Sequence, residues 1–189
     1  MSEDAKAKKS SLPGKIGWLA GIVGAIAGAL SLYFTLWPKP PSIDDWASKA
    51  TSVCNQDARD VKSDVRAAQE AIAIIAQDAQ AGSMPQSDFN NLTDVMNSLS
   101  GDQQKLVGDL QAISRPGSHH SDVDSIINEQ KAGSEDIYKA SGELGSANVN
   151  DLNSIITAVE SANSDLSDAI PHWRNAQQVA GQLGVQCSV

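Results

Sequence analysis

The sequence predicts an all-α protein: one N-terminal transmembrane helix followed by an antiparallel up-down-up-down four-helix bundle. Three observations predict it. Residues 16–37 carry no charged side chain. From residue 42 onward, apolar side chains recur at steps of three and four, the spacing of one helix face. Turn signals at 81–85, 115–118 and 145–150 cut that stretch into four segments of helical length.

The 22 residues from Ile16 to Trp37 span about 33 Å as a helix, enough for a hydrocarbon core of about 30 Å. Lys6, Lys8, Lys9 and Lys15 precede this segment, so residues 1–15 are expected to stay in the cytoplasm as a basic tail. The run is longer than the apolar part of a secretory leader. It ends in Phe34-Thr35-Leu36-Trp37-Pro38 without a small-x-small cleavage site. A retained signal anchor in the plasma membrane is therefore expected, with the C-terminal domain outside. Gly17, Gly21, Gly24 and Gly28 recur on a stripe where small residues let helix backbones approach closely. That stripe predicts homo-oligomerisation or pairing with another membrane helix. Residues 38–41, Pro-Lys-Pro-Pro, form a short stiff linker that holds the domain near the bilayer.

Residues 42–189 form the extracytoplasmic domain. Ser42 is a candidate N-cap with Asp45 three residues on. The first helix is expected over 42–80, with a break near 55–58 where Asp57 takes an inward position. The second carries an apolar seam at Phe89, Leu92, Met96, Leu99, Gln103, Leu106, Leu110 and Ile113. The third is expected over 120–144, with Val123, Ile126, Ile127, Gln130, Ile137, Ser141 and Leu144 inward. The fourth covers 150–183, capped by Asn148 or Asn150 and kinked at Pro171. Gln103 and Gln130 are the polar members of apolar seams. They are read as register devices, since a buried amide must find its partner, with a polar ligand pocket as the alternative. Trp46 and Trp173 are read as core packing. Cys54 and Cys187, the only cysteines, are predicted to form a disulfide in an oxidising compartment.

Charge bounds the function. Residues 42–189 hold 9 Lys/Arg against 21 Asp/Glu, a net of −12, which would repel nucleic acid phosphates. No phosphate-binding loop, nucleophile elbow, zinc-protease or dinucleotide motif is present, so neither an enzyme nor a cofactor is expected. His119 and His120, with Asp122 and Asp124 nearby, and His172 are the metal-ligand candidates besides the carboxylates. They read as solvated polar residues, and no metal site is expected. The expected function is a non-enzymatic, membrane-anchored extracytoplasmic interaction or structural module, of bacterial type, with an unknown protein partner for its outer domain. The alternative is a small-ligand sensor bundle acting through a membrane partner. A C-terminal alkaline phosphatase fusion should be active and a C-terminal cytoplasmic reporter silent. The reverse pattern would overturn the predicted orientation.

Overall fold

The computed structural model describes residues 40–81 and 85–186. The predicted tail, the span over 16–37 with Gly17, Gly21, Gly24 and Gly28, and Cys187 all lie outside the described residues. Among the described residues, no helix is long and apolar enough to cross a membrane, and no strand is present.

Four helices account for the described domain: α1 (Ile43–Gln80), α2 (Gln86–Ala112), α3 (His120–Ser146) and α4 (Leu152–Gln182). Successive helices run in opposite directions, because residue numbers fall along one helix as they rise along its neighbour. Between α1 and α2, Asp57 meets Lys105, and the Gly117 amide donates to the Pro41 carbonyl. Between α2 and α3, Asn97 meets Ser141 and Arg115 meets Asp124. Between α3 and α4, Glu129 meets His172 and Lys139 meets Asp165. The fourth seam, α1 with α4, has the fewest close approaches of the four.

The ends follow from local chemistry. At the start of α1 the Asp45 amide donates to Ser42 Oγ at 3.1 Å, and the Ser42 amide donates to Asp45 Oδ2 at 3.2 Å. This is the reciprocal box the spacing predicts. The Ser42 hydroxyl and amide hold the Asp45 carboxyl below the usual carboxylate range. At α4 the cap is Asp151, whose Oδ1 accepts from the Asn153 amide at 3.0 Å. The expected caps, Asn148 and Asn150, are taken up by a turn instead. Asn148 Oδ1 accepts from the Asn150 amide and its carbonyl accepts from the Asp151 amide. Pro171 lies inside α4, whose helical residues continue on both sides of it. Proline removes only its own amide donor, and its ring is exposed here.

The C-terminal stop of α4 is a Schellman motif. Gly184 takes φ +82°, its amide donates to the Gly181 carbonyl, and the Val185 amide reaches the Ala180 carbonyl. Only glycine adopts that backbone region without strain. The turn tucks Val185 into the core beside Trp46 and Leu110. It also brings the Gln186 amide 3.1 Å from Thr51 Oγ1 on α1. Cys54, one turn further along α1, is buried and is not a free thiol.

The core has two parts. One centres on Ile75, Leu92, Met96, Leu99, Ile137 and Leu166. The other centres on Trp46, Leu106, Leu110, Val123, Ile126 and Val185. Fully burying each such side chain contributes about 1.5–3 kcal/mol.

The expected break near 55–58 does not occur, and α1 runs unbroken. Asp57 is 5% exposed, and the half-exposed Lys105 of α2 reaches over to bond its Oδ1. Asp165 of α4 repeats the arrangement, accepting from Lys139 of α3 at 2.7 Å. Each aspartate raises its lysine's pKa, chiefly through the hydrogen bond between them. A raised lysine pKa means stability present at neutral pH and lost only as pH climbs through the folded value. Replacing Lys105 with Met should strand the Asp57 carboxylate and cost about 1–3 kcal/mol. Adding Asp57→Leu should recover most of that, because an apolar pair of similar volume tolerates burial. Urea unfolding of the full chain followed by circular dichroism checks both. Additive losses in the double variant would show that the pair does not act as a unit.

Candidate functional site

The space between the helices is not filled evenly. In the part of the core nearest Trp46, α1 presents Ala47, Ala50, Cys54 and Ala58 inward, and α4 presents Ala176 and Ala180. Small side chains on the loosest seam leave a cavity of about 260 Å³. An engineered cavity of about 150 Å³ already accepts benzene, so this volume matches a molecule of about ten heavy atoms. All four helices contribute walls: Trp46 and Val61 from α1, Leu106 from α2, Ile126 from α3, and Ile170 and Trp173 from α4.

Four of the lining side chains hold a buried polar atom without a hydrogen-bond partner. They are the indole Nε1 atoms of Trp46 and Trp173 and the amide Oε1 atoms of Gln103 and Gln130. Gln103 and Trp46 are each only 1% exposed. Buried polar groups are nearly always paired, since an unpaired one costs about 1–3 kcal/mol. Two unpaired donors and two unpaired acceptors thus belong to residues that line one cavity, a combination suited to a ligand site.

The register expectation for Gln103 and Gln130 required each amide to find a partner, and the structure gives their carbonyl oxygens none. Asp57 and Asp165 make charged pairs between neighbouring helices, which the seam pattern does not single out. The reading of Trp46 and Trp173 as packing residues holds in part, because Trp46 is fully buried. It misses the unpaired indole nitrogens, which require three-dimensional information.

The histidines are dispersed. His119 caps α3 in the left-handed conformation at φ 59°, with Nδ1 3.0 Å from Asp122 Oδ2. Asp124 is paired with Arg115. His172 sits with Nδ1 2.7 Å from Glu129 Oε2 and Nε2 3.9 Å from Asp136 Oδ2, and so ties α4 to α3 beside the cavity. Burial pushes the Asp136 carboxyl pKa up, with His172 opposing. Among the described residues, no group of three or more His, Cys, Asp or Glu is placed to hold a metal ion.

Trp173 is positioned by Gly133 on α3. A Cβ at Gly133 would lie 2.5 Å from Trp173 Nε1 and 2.8 Å from its Cδ1. Gly133→Ala should therefore displace the indole and destabilise by about 1–3 kcal/mol, despite alanine's better helix propensity. Gly142→Ala on the same helix meets nothing within 4 Å and should stabilise by up to about 1 kcal/mol. Thermal unfolding of the two variants side by side checks this. Equal stabilisation by both would show that the glycine does not seat Trp173. Comparison of the chain with protein-family models, with curated proteins and with solved structures returns no match.

Proposed function

We propose that the chain is a non-enzymatic module anchored in the plasma membrane by residues 16–37. In this reading its up-down-up-down bundle outside the membrane receives a small, largely apolar molecule in the core cavity. The observation that carries this is the cavity wall itself: four lining side chains with unpaired buried polar atoms, in a lining otherwise apolar except for the exposed Lys62, Arg174 and Gln177. A bundle needing only to be stable would fill the space with larger side chains and avoid buried groups left without partners. The site lies between helices, a common place for ligands in bundles. The ligand-receiving reading is therefore preferred over a purely structural one.

The protein-partner reading has less behind it. The exposed large apolar side chains Ile74, Tyr138, Val149 and Leu152 are spread over α1, α3, the turn after α3 and the start of α4. Single exposed apolar residues are ordinary on protein surfaces.

The test uses the full chain in lipid nanodiscs with Trp18 and Trp37 replaced by Phe, which leaves Trp46 and Trp173 as reporters. Titration with the neutral probe 3-phenylpropan-1-ol should give a saturable fluorescence change. Ala176→Leu, which fills the cavity from α4, should abolish the change while leaving the fold intact by circular dichroism. No saturable change, or one that survives Ala176→Leu, would overturn the proposal.

A further inference from the structure

The charge of the cavity lining is opposite to the charge of the domain around it. About one residue in seven of 42–189 is Asp or Glu, yet none of the 19 residues lining the cavity is acidic. Two are basic, Lys62 of α1 and Arg174 of α4. Both are exposed, and neither forms an ion pair among the described residues. They come from the two helices of the loosest seam, so they mark the opening of the cavity to solvent. Gln177, also exposed and on α4, joins them there. Deeper in, the lining carries no charge, only apolar side chains and the unpaired groups of Trp46, Trp173, Gln103 and Gln130.

This layout reads as a template for one kind of molecule. An apolar body of about ten heavy atoms fits the interior volume. A single negative group at one end fits the basic opening, where both cations are free to turn toward it. A cation would meet like charge at the mouth and no acid inside. A dianion would have to keep both charges at the mouth, because the interior offers no cation, and burying an uncompensated charge is costly.

We propose that the occupant is an apolar monocarboxylate, seated body-first between the helices with its carboxylate beside Lys62 and Arg174. The inference rests on the ligand-receiving reading above and names the ligand's chemical class. Such an acid could be a free aryl acid or a short fatty acid released from membrane lipid. The two share the same recognition chemistry, and the probes separate them.

The experiment is isothermal titration of the full chain in nanodiscs, with empty nanodiscs as the blank. The probes are 3-phenylpropanoate, octanoate and the neutral amide of each. At low salt the acid should bind about tenfold more tightly than its amide, the scale of two solvent-exposed ion pairs. The gap should narrow as salt is raised. Lys62→Gln and Arg174→Gln should each weaken the acid several-fold and leave the amide unchanged. Both positions are exposed, so the fold should tolerate either change. Tighter binding by the phenyl acid identifies the aryl source, and tighter binding by octanoate the lipid source. Equal affinity for acid and amide would overturn this inference while leaving the ligand-receiving reading intact. An acid preference unmoved by both substitutions would do the same. Binding by none of the four probes would overturn both.

Discussion

Two buried carboxylates govern how the helices mate. Asp57 and Asp165 each lie on the inward side of a helix, 5% exposed, where an unpaired charge would be strongly unfavourable. Each is met by a lysine from the helix next in contact, Lys105 for Asp57 and Lys139 for Asp165. Sliding either pair by one turn would move the cation about 5.4 Å and strand the acid. The pairs thus tie α1 to α2 and α3 to α4 as two locked hairpins. The α2–α3 seam adds a neutral hydrogen bond, Ser141 Oγ to Asn97 Oδ1 at 2.5 Å, and the exposed Arg115–Asp124 pair. Among the described residues, no ion pair joins α1 to α4. That seam is closed by apolar contact and, at one end, by Val185 and the Gln186–Thr51 hydrogen bond.

The cavity follows from this arrangement together with side-chain size. A locked hairpin cannot shift to close a gap on its open side. Along that side α1 and α4 place alanines at Ala50, Ala58, Ala176 and Ala180. Large groups stand at the margins: Trp46 beside the start of α1, and Trp173 held against Gly133. The room is therefore bounded by rigid aromatics and stays open in the middle. In the other half of the core α1 and α4 also bury alanines, but Ile75, Ile155 and Leu166 stand among them.

Much of the fold was legible in the sequence because it rests on periodicity and turn chemistry, both local signals. The α2 seam from Phe89 to Leu110 is buried as its three-four spacing predicts. The Ser42–Asp45 box forms as written. The misses have a common origin in pairing across helices. Asp57 looked like a helix breaker because one strand of sequence does not show Lys105 arriving 48 residues later. Gln103 and Gln130 were read as register devices because both interrupt apolar seams, and spacing along a helix does not say what an amide faces across the core. The cap of α4 moved to Asp151 because Asn148 was already engaged in its own turn, a competition among neighbours that side-chain propensity alone does not resolve. The cavity was legible only as the alternative reading of Gln103 and Gln130, which line it. It is a sum of small residues on α1 and α4, and each of them alone reads as an ordinary helix former.

The acidity of the domain is interrupted at the lining of this cavity. A surface with 21 acidic and 9 basic residues over 42–189 sets up a field that discourages anions everywhere at long range. At physiological salt that field decays within about 8 Å, so binding at a recessed mouth is decided by the few charges that line it. Around this cavity those charges are Lys62 and Arg174. The other basic residues of α2 and α3 all have acidic partners: Lys105 with Asp57 and Asp109, Arg115 with Asp124, Lys131 with Glu135, and Lys139 with Glu143 and Asp165. Lys105, Arg115 and Lys139 join neighbouring helices, while Lys131 is paired within α3. Lys62 and Arg174, like Lys49, Arg59 and Arg66 of α1, form no ion pair among the described residues, and of these only Lys62 and Arg174 line the cavity, on the two helices with the fewest close approaches.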